Sequence, residues 1–136
     1  VVERVEVAVL HSLMEEGFIP VVSPVAIDAE GQPLNVNADL AAGAVSASLQ
    51  ARKLLLMTDV AGVLDANGEV ISQLERRTIQ SLIDDGTLTG GMIPKMRCAG
   101  DALDGGVRKV HIVDGRFTHA MLLELFTDRG VGTEVF

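Results

Sequence analysis

A short, unbroken apolar segment constrains the fold of this 136-residue chain more than any other feature. Residues Lys53 to Thr58 read KLLLMT, in which apolar side chains do not alternate with polar ones. A strand of this kind is typical of a parallel sheet that is covered on both faces. A second buried strand is predicted over 107–113. Because parallel strands need long crossover connections, helices are expected between them.

Apolar spacing, caps and glycines mark those helices. The recurrence of Val2, Val5, Val9 and Leu13 predicts an amphipathic helix that ends at Gly17. Further helices are predicted over 38–50, 78–85, 93–103 and 120–126, the last of them capped by Thr118.

The remaining strands are less regular. Residues 18–27 are apolar and β-branched, so they predict a buried strand despite Pro20 and Pro24. An Asn-Gly pair at 67–68 predicts a tight hairpin, and a final strand is expected over 134–136. Strands that alternate with helices imply an α/β fold with a mainly parallel sheet.

The composition fits one domain with an aliphatic core. Hydrophobic residues make up 48%, whereas the chain has four Phe and no Trp or Tyr. The net charge of −8 disfavours nonspecific binding to nucleic acid or to an anionic membrane. No apolar run approaches the ~20 residues that span a bilayer. The single cysteine, Cys98, excludes an intrachain disulfide. We therefore expect a cytoplasmic protein with no nucleic-acid or membrane partner.

A polar segment introduces the helix of 38–50. Asn35, Asn37 and Asp39 place two amides and a carboxylate at a helix N-terminus, where free backbone N–H groups add donors. These three residues are candidates for a ligand site. The ordinary alternative is a helix cap, because Asn and Asp are common N-caps.

Two further segments are candidates for a phosphate or nucleotide site. Residues 58–62 follow the central strand, at the edge where α/β sheets bind ligands. Residues 89–92 contain two glycines that let backbone N–H groups approach a phosphate, and Lys95 adds positive charge. The alternatives are a plain turn and an exposed lysine, and a Walker A sequence is absent from the chain.

Other reactive side chains have ordinary interpretations. His111 lies in an apolar segment, where a hydrogen-bonded structural histidine is expected. Cys98 is interpreted as inert packing on a helix. The three histidines and Cys98 lack the spacing of metal ligands, so we predict no metal ligand among the side chains.

Together, these segments resemble the C-terminal half of the acetylglutamate kinases, within the amino acid kinase family. The resemblance runs from about residue 16 to residue 136 and is specific in the order and spacing of its motifs. The matching strings are GFIPVVSPV (17–25), LNVNADLAAGAV (34–45), KLLLMTDVAGVL (53–64), LTGGMIPK (88–95), VHIVDGR (110–116) and LLELFTDRGVGT (122–133).

The resemblance implies a fold, an activity and cofactors. The fold is a three-layer α/β/α sandwich, of which this chain supplies the ATP-binding part. The activity is phosphorylation of the side-chain carboxylate of N-acetyl-L-glutamate by ATP with Mg²⁺, a step of arginine biosynthesis. The intact enzyme is expected to be a homo-oligomer.

The resemblance also implies roles for individual residues. Asn35 would contact acetylglutamate, with Asn37 close by. Asp39 would organise the catalytic lysines, and Lys95 would stabilise the transferred phosphoryl group. The nucleotide-binding positions implied in the same way are Thr58, Asp59, Gly62, Gly90, Gly91 and Met92.

A second resemblance concerns feedback inhibition by arginine. His111, Glu124 and Gly130 match positions that hold L-arginine in the inhibited members of the family. A carboxylate and backbone carbonyls there would bind the cationic ligand. The alternative is a buried structural histidine beside an exposed helix glutamate.

The chain starts at Val1 and in a helical pattern, so we expect a fragment. The resemblance implies that the missing N-terminal half supplies another catalytic lysine, glycine-rich loops and much of the acetylglutamate pocket. This chain would then be inactive alone. Two alternatives stay open: a related kinase that acts on an acetylated aminoadipate, and a non-catalytic module that binds a nucleotide or arginine.

Overall fold

The computed structural model describes residues 2–128 and 130–136. Helices and strands alternate along most of this length, as the sequence predicts. The helices are α1 (Ala8–Glu15), α2 (Ala38–Ser48), α3 (Ile79–Asp84), α4 (Met92–Asp104) and α5 (Ala120–Phe126). The strands are β1 (Val25–Ile27), β2 (Pro33–Asn35), β3 (Lys53–Thr58), β4 (Gln73–Leu74), β5 (Lys109–Asp114) and β6 (Thr133–Val135).

Four strands form the central sheet, in the order β3-β5-β6-β4. β3 and β5 are parallel along their whole length, so that Thr58 lies opposite Asp114 at their carboxyl ends. β4 and β6 are also parallel, whereas β5 and β6 are antiparallel. The predicted mainly parallel sheet is therefore confirmed, with one antiparallel junction.

Helices cover both faces of this sheet. Along β5, Val110 and Ile112 belong to an aliphatic core that includes Ala99 of α4. His111 points to the opposite face, where it contacts Glu124 of α5. α2 and α3 pack against α4 on the first face, and α5 packs against β5 on the other. With helices on both sides of the sheet, the architecture is the expected three-layer α/β/α sandwich.

The strand that is buried on both faces is β5 rather than β3. β5 lies inside the sheet, and its residues from Val110 to Val113 are all buried. β3 is at the edge of the described sheet, where Leu54 and Leu56 are buried but Met57 is exposed. The apolar run of β3 thus predicted a strand correctly, but the prediction that both of its faces are covered is wrong for the described chain.

The N-terminal predictions are wrong in two places. α1 begins at Ala8, so Val2 and Val5 precede it, and it buries none of its residues within the described chain. β-branched residues lose side-chain freedom in a helix, and burial does not offset that cost here. The buried strand predicted over 18–27 is only β1, which pairs antiparallel with β2.

Proline explains the loss of that strand. Pro20 and Pro24 lack the N–H that a sheet ladder requires, and the chain becomes a strand only after Pro24. Ile19 is 90% exposed and Val21 95% exposed, so the apolar run covers no core in the described chain.

Local signals were more reliable than the long apolar runs. The Oδ1 of Asn37 accepts a hydrogen bond from the N–H of Leu40 at 3.1 Å, which makes it the N-cap of α2. The hairpin around residues 67–68 is present, with Leu64 bridged to Val70. The predicted cap at Thr118 is wrong, because α5 starts from His119 in a left-handed conformation.

Candidate functional site

The carboxyl ends of β3 and β5 open onto a pocket of about 460 Å³. The N–H of Gly115 donates to the carbonyl oxygen of Thr58 at 2.8 Å, which holds the two strand ends together. We call this cavity the β3 pocket. Its lining residues are Thr58, Asp59, Val60, Gly62, Leu64, Thr87, Leu88, Thr89, Gly91, Met92 and Lys95. Its volume is typical of small-molecule sites.

Most of the candidate nucleotide residues meet in the β3 pocket. Among the lining residues are Thr58, Asp59 and Gly62 from the segment after β3 and Gly91, Met92 and Lys95 from the start of α4. Gly90 lies beside them with a positive φ of 53°, a conformation that favours glycine. Thr89 also lines the pocket and lies in the candidate segment 89–92, whereas Leu64, Thr87 and Leu88 were not singled out although they adjoin the candidate segments, because their side chains carry no phosphate-binding signal of their own.

Lys95, one of the lining residues of the β3 pocket, is paired with Asp39, which lies outside the lining. The Nζ of Lys95 lies 2.7 Å from Oδ2 of Asp39, and the two side chains are 21% and 27% exposed. Asp39 is in the first turn of α2, which Asn37 caps, and Lys95 is in the first turn of α4. Pro94 also belongs to that first turn, where the N–H it lacks is not needed. The two helix starts therefore place opposite charges together.

The two candidate asparagines lie outside the pocket lining. Asn35 ends β2 and is exposed. Asn37 is also exposed, and its side-chain oxygen is used by the helix cap, so the ordinary interpretation of Asn37 is confirmed. Its amide N–H₂ group remains a possible donor to a ligand.

Gly62 lies between the β3 pocket and strand β6. Its φ is 151°, and a Cβ at this position would lie 2.8 Å from Oγ1 of Thr133. The same Oγ1 accepts a hydrogen bond from the N–H of Val63 at 2.9 Å. Glycine is required at position 62 both by the backbone conformation and by this close approach.

A second cavity, of about 560 Å³, lies beside β6 and α5. We call it the β6 pocket. Its lining residues are Lys53, Val70, Ser72, Gln73, His111, Glu124, Leu125, Thr127, Asp128, Gly130, Val131, Gly132 and Glu134. The candidate arginine-site residues His111, Glu124 and Gly130 are thus brought together. Lys53 and Glu134 were not identified from the sequence, because their place in the pocket depends on the order of the strands.

The floor of the β6 pocket is a buried histidine–carboxylate pair. Nδ1 of His111 lies 2.7 Å from Oε1 of Glu124. Oε2 of Glu124 accepts from the backbone N–H groups of Val131 at 2.6 Å and Gly132 at 3.0 Å. The sequence-based alternative of an exposed helix glutamate is therefore wrong, since Glu124 is buried.

These contacts shift the ionisation of Glu124. Burial acts to raise the pKa of Glu124, but the hydrogen bonds from His111, Val131 and Gly132 outweigh it and hold the pKa below its usual value. Nε2 of His111 is buried and lacks a hydrogen-bond partner among the described residues, and it lies 3.8 Å from Oε2 of Glu134.

Within residues 2–128 and 130–136, no group of three or more His, Cys, Asp or Glu side chains is arranged to hold a metal ion. In the same residues, no helix has the length and apolarity needed to cross a bilayer.

The fold and the β3 pocket define a class: a three-layer α/β/α protein in which the lysine of a lysine–carboxylate pair lines a ligand-sized cavity. The model of the amino acid kinase family matches residues 1–114. The chain belongs to the amino acid kinase family.

Curated relatives narrow the comparison. The chain is 53% identical over 134 residues to the acetylglutamate kinase of Oleidesulfovibrio alaskensis. The matched region covers 98% of this chain and 45% of that enzyme. Other acetylglutamate kinases match at similar identity and coverage. The chain therefore spans less than half the length of the curated relatives it matches.

Solved structures agree on the fold. The N-acetylglutamate synthase of Neisseria gonorrhoeae, solved with coenzyme A and L-arginine, superposes with a TM-score of 0.92 and 30% identity over 99% of this chain and 31% of that chain. The carbamate kinase of Giardia lamblia, bound to AMP-PNP, superposes with a TM-score of 0.71 over 99% of this chain and 45% of that chain. At 20% identity, the second likeness shows a shared fold alone.

Proposed function

We propose that this chain is part of a kinase that uses ATP to phosphorylate the side-chain carboxylate of N-acetyl-L-glutamate, in arginine biosynthesis. The observation that carries the proposal is the Lys95–Asp39 pair, 2.7 Å apart, whose lysine lines the β3 pocket. The family and the named relatives support it. Because the chain spans less than half of those relatives, the activity belongs to a longer assembly.

The acceptor chemistry suits this site. A carboxylate with an ordinary pKa of about 4.3 is already ionised at neutral pH, so the transfer needs no general base. The obstacle is repulsion between an anionic acceptor and the anionic phosphates. Positioning and positive charge overcome that obstacle in phosphoryl transfer. The ammonium group of Lys95 would supply the charge from this chain.

Asp39 would orient that ammonium group. A lysine ammonium has three N–H donors, and Asp39 accepts one of them. The other two remain for phosphate oxygens. A charge-assisted hydrogen bond fixes the direction of a flexible side chain. Asp39 would therefore restrict the Lys95 side chain to conformations in which its ammonium group faces the pocket.

Residues around Lys95 would hold the nucleotide. Gly90, Gly91 and Met92 lead into the N-terminus of α4, whose partial positive charge favours phosphate. Thr58, Asp59 and Gly62 lie across the β3 pocket at the end of β3. Mg²⁺ in such sites takes most of its ligands from phosphate oxygens and water, so it can bind together with the nucleotide without a dedicated cluster of metal-binding side chains. When bound, Mg²⁺ would supply further positive charge on the phosphates.

Asn35 and Asn37 would serve the acceptor. Both are exposed near the start of α2, and Asn37 keeps its amide donors free of the cap. Amide donors are suited to the carbonyl and carboxylate oxygens of an acetylated amino acid. We expect the assembled enzyme to be a cytoplasmic homo-oligomer, a state that analytical ultracentrifugation measures.

The decisive experiment joins this chain to the part of the Oleidesulfovibrio alaskensis kinase that it does not cover. We call this fusion the completed enzyme. It is given ATP, Mg²⁺ and N-acetyl-L-glutamate, and the acyl phosphate is trapped with hydroxylamine. We expect turnover by the completed enzyme and none by the 136-residue chain. The relative divided at the same junction and rejoined is the positive control.

The alternatives give different outcomes. A preference for acetylated aminoadipate over acetylglutamate would indicate the related kinase. ATP binding without turnover, in a completed enzyme that unfolds cooperatively, would indicate a non-catalytic module and contradict the proposal.

A second function is favoured by the β6 pocket. Glu124, Asp128 and Glu134 are among its described lining residues, beside one lysine, Lys53. This excess of carboxylates favours a cationic ligand. The synthase that superposes with a TM-score of 0.92 was solved with L-arginine. We propose that His111, Glu124 and Gly130 belong to a site for L-arginine, and calorimetry of the completed enzyme tests it. An absence of binding at millimolar L-arginine would reject this site.

A further inference from the structure

Cys98 lies in the contact between α2 and α4. Its side chain is buried, and its Sγ donates a hydrogen bond to the backbone oxygen of Asp39 at 2.9 Å. Gly43, one turn further along α2, faces the same sulfur atom. A Cβ at position 43 would lie 2.9 Å from Sγ, closer than real Cβ atoms approach. The thiol therefore rests on two residues of α2.

The same two helices carry the Lys95–Asp39 pair. Lys95 and Cys98 are three residues apart on α4, so they lie on one face of that helix. Asp39 meets both of them, Lys95 through its carboxylate and Cys98 through its backbone oxygen. A shift of α4 that lengthened the second contact would also displace Lys95 from the carboxylate.

The thiol is suited to a permanent donor role. Burial, with the nearby negative charges of Asp39 and Asp101, raises the pKa of Cys98 to about 11. The thiol therefore stays protonated at neutral pH and keeps the hydrogen that it donates. A thiolate nucleophile would need the opposite shift.

We propose that Cys98 is a positioning residue for phosphoryl transfer. Its hydrogen bond to Asp39 and its close contact with Gly43 fix the distance between α2 and α4, and at this distance Asp39 can hold Lys95. The inference rests on the proposed kinase function. Cys98 is not among the lining residues of the β3 pocket. Its effect passes through the orientation of Lys95, which matters because transfer rates depend on sub-ångström placement.

The test uses the completed enzyme and its kcat. Cys98→Ala removes the donor, and we expect kcat to fall about three- to tenfold, the range of one net hydrogen bond. KM for ATP and for acetylglutamate should change less than about twofold, because the pocket lining is intact. Cys98→Ser keeps a donor and should recover at least half of the lost rate. Val107→Ala, a core substitution away from Asp39, lowers the melting temperature as a control and should leave kcat unchanged.

Gly43→Ala adds a second arm. The new Cβ displaces the thiol, so kcat should fall as it does in Cys98→Ala. In the double variant the clash is gone, and kcat should equal that of Cys98→Ala alone. Independent, multiplying losses in the double variant would overturn the proposal. So would an unchanged kcat in Cys98→Ala, or a Cys98→Ser variant as slow as Cys98→Ala.

The unsubstituted completed enzyme is assayed first. If it makes no acyl phosphate, the proposed kinase function fails. If it is active and Cys98→Ala is equally active, only the positioning role of Cys98 fails.

Discussion

A lysine–carboxylate pair adjoins the β3 pocket and a histidine–carboxylate pair lines the β6 pocket, and the two pairs are built differently. Lys95 and Asp39 come from two helix starts and remain about a quarter exposed. His111 and Glu124 come from the inside of the sheet and from α5, and their side chains are 2% and 4% exposed. The first pair can meet a ligand and solvent, whereas the second is enclosed by protein.

Exposure decides what each pair can contribute. A partly exposed ion pair adds little to stability, about 0–1 kcal/mol, so the Lys95–Asp39 pair is available for function at small structural cost. A buried carboxylate that accepts three hydrogen bonds cannot lose them without leaving donors unpaired. We therefore expect substitution in the Lys95–Asp39 pair to affect activity more than stability, and substitution of Glu124 to affect stability more than activity.

The largest effect is expected from Lys95→Ala in the completed enzyme. Removal of a charge that acts on the transferred group typically lowers kcat by about 10²–10³-fold. The free energy of unfolding should change by less than about 1 kcal/mol, because the side chain is partly exposed. Steady-state kinetics and urea unfolding measure the two quantities.

Arg97→Ala is the matched control for that variant. Arg97 is an exposed cation two residues further along α4 and is not among the lining residues of the β3 pocket. Its removal should leave kcat unchanged. A near-normal kcat in Lys95→Ala would contradict the role of Lys95 and with it the contrast between the two pockets.

The next effect concerns the stability of the β6 pocket. Glu124→Ala leaves His111 and the N–H groups of Val131 and Gly132 without their partner, so we expect the free energy of unfolding to fall by about 3 kcal/mol. Asp39→Ala should cost less than about 1 kcal/mol. Urea unfolding of both variants measures the difference.

Glu124→Gln sharpens this prediction. A glutamine can accept from the backbone N–H groups and donate to His111 in its other neutral tautomer, so most of the lost stability should return. Equal costs for Glu124→Ala and Asp39→Ala would remove the distinction between an enclosed and an open pair.

The two pockets were also unequally predictable from sequence. Most of the β3 pocket comes from two short segments, 58–64 and 87–95, whose glycines and polar residues are visible in the sequence. The β6 pocket collects residues from β3, β4, β5, α5 and β6, so its membership depends on strand order. His111 and Glu124 were found only through a family resemblance, and Lys53 and Glu134 were not found.

The same distinction applies to the fold. Local signals such as the Asn37 cap and the turn at 67–68 were predicted correctly, because a few neighbouring residues determine them. Strands β2 and β4 were missed, since two or three residues carry no measurable periodicity. The strand predicted over 18–27 failed because hydrophobicity was weighed above the missing N–H groups of two prolines.

A smaller effect is expected at Gly62, where the lining of the β3 pocket approaches β6. Gly62 lines the β3 pocket, and its backbone approaches Thr133 of β6. Gly62→Ala combines an unfavourable φ with a contact of 2.8 Å to Thr133, so we expect a loss of about 2 kcal/mol in the free energy of unfolding. Gly68→Ala is the control, because its φ is also positive, at 81°, but its Cβ would meet open space. A larger cost for Gly68→Ala would show that backbone strain, not the approach of β6, is what matters.

The smallest effect is a dependence of the free energy of unfolding on pH that arises from Glu124. The pKa of Glu124 is lower in the folded chain than in the unfolded chain, because three hydrogen bonds outweigh the effect of burial. The unfolded state therefore binds more protons as the pH falls, and stability declines. The contribution of Glu124 is complete above its unfolded pKa of about 4.5 and is lost as the pH falls through its folded pKa. Urea unfolding between about pH 6 and pH 3 measures how the free energy of unfolding changes with pH. In Glu124→Gln this change per pH unit should be smaller, by an amount that corresponds to at most about one bound proton. An unchanged dependence of stability on pH in Glu124→Gln would contradict the acid-sensitive role of Glu124.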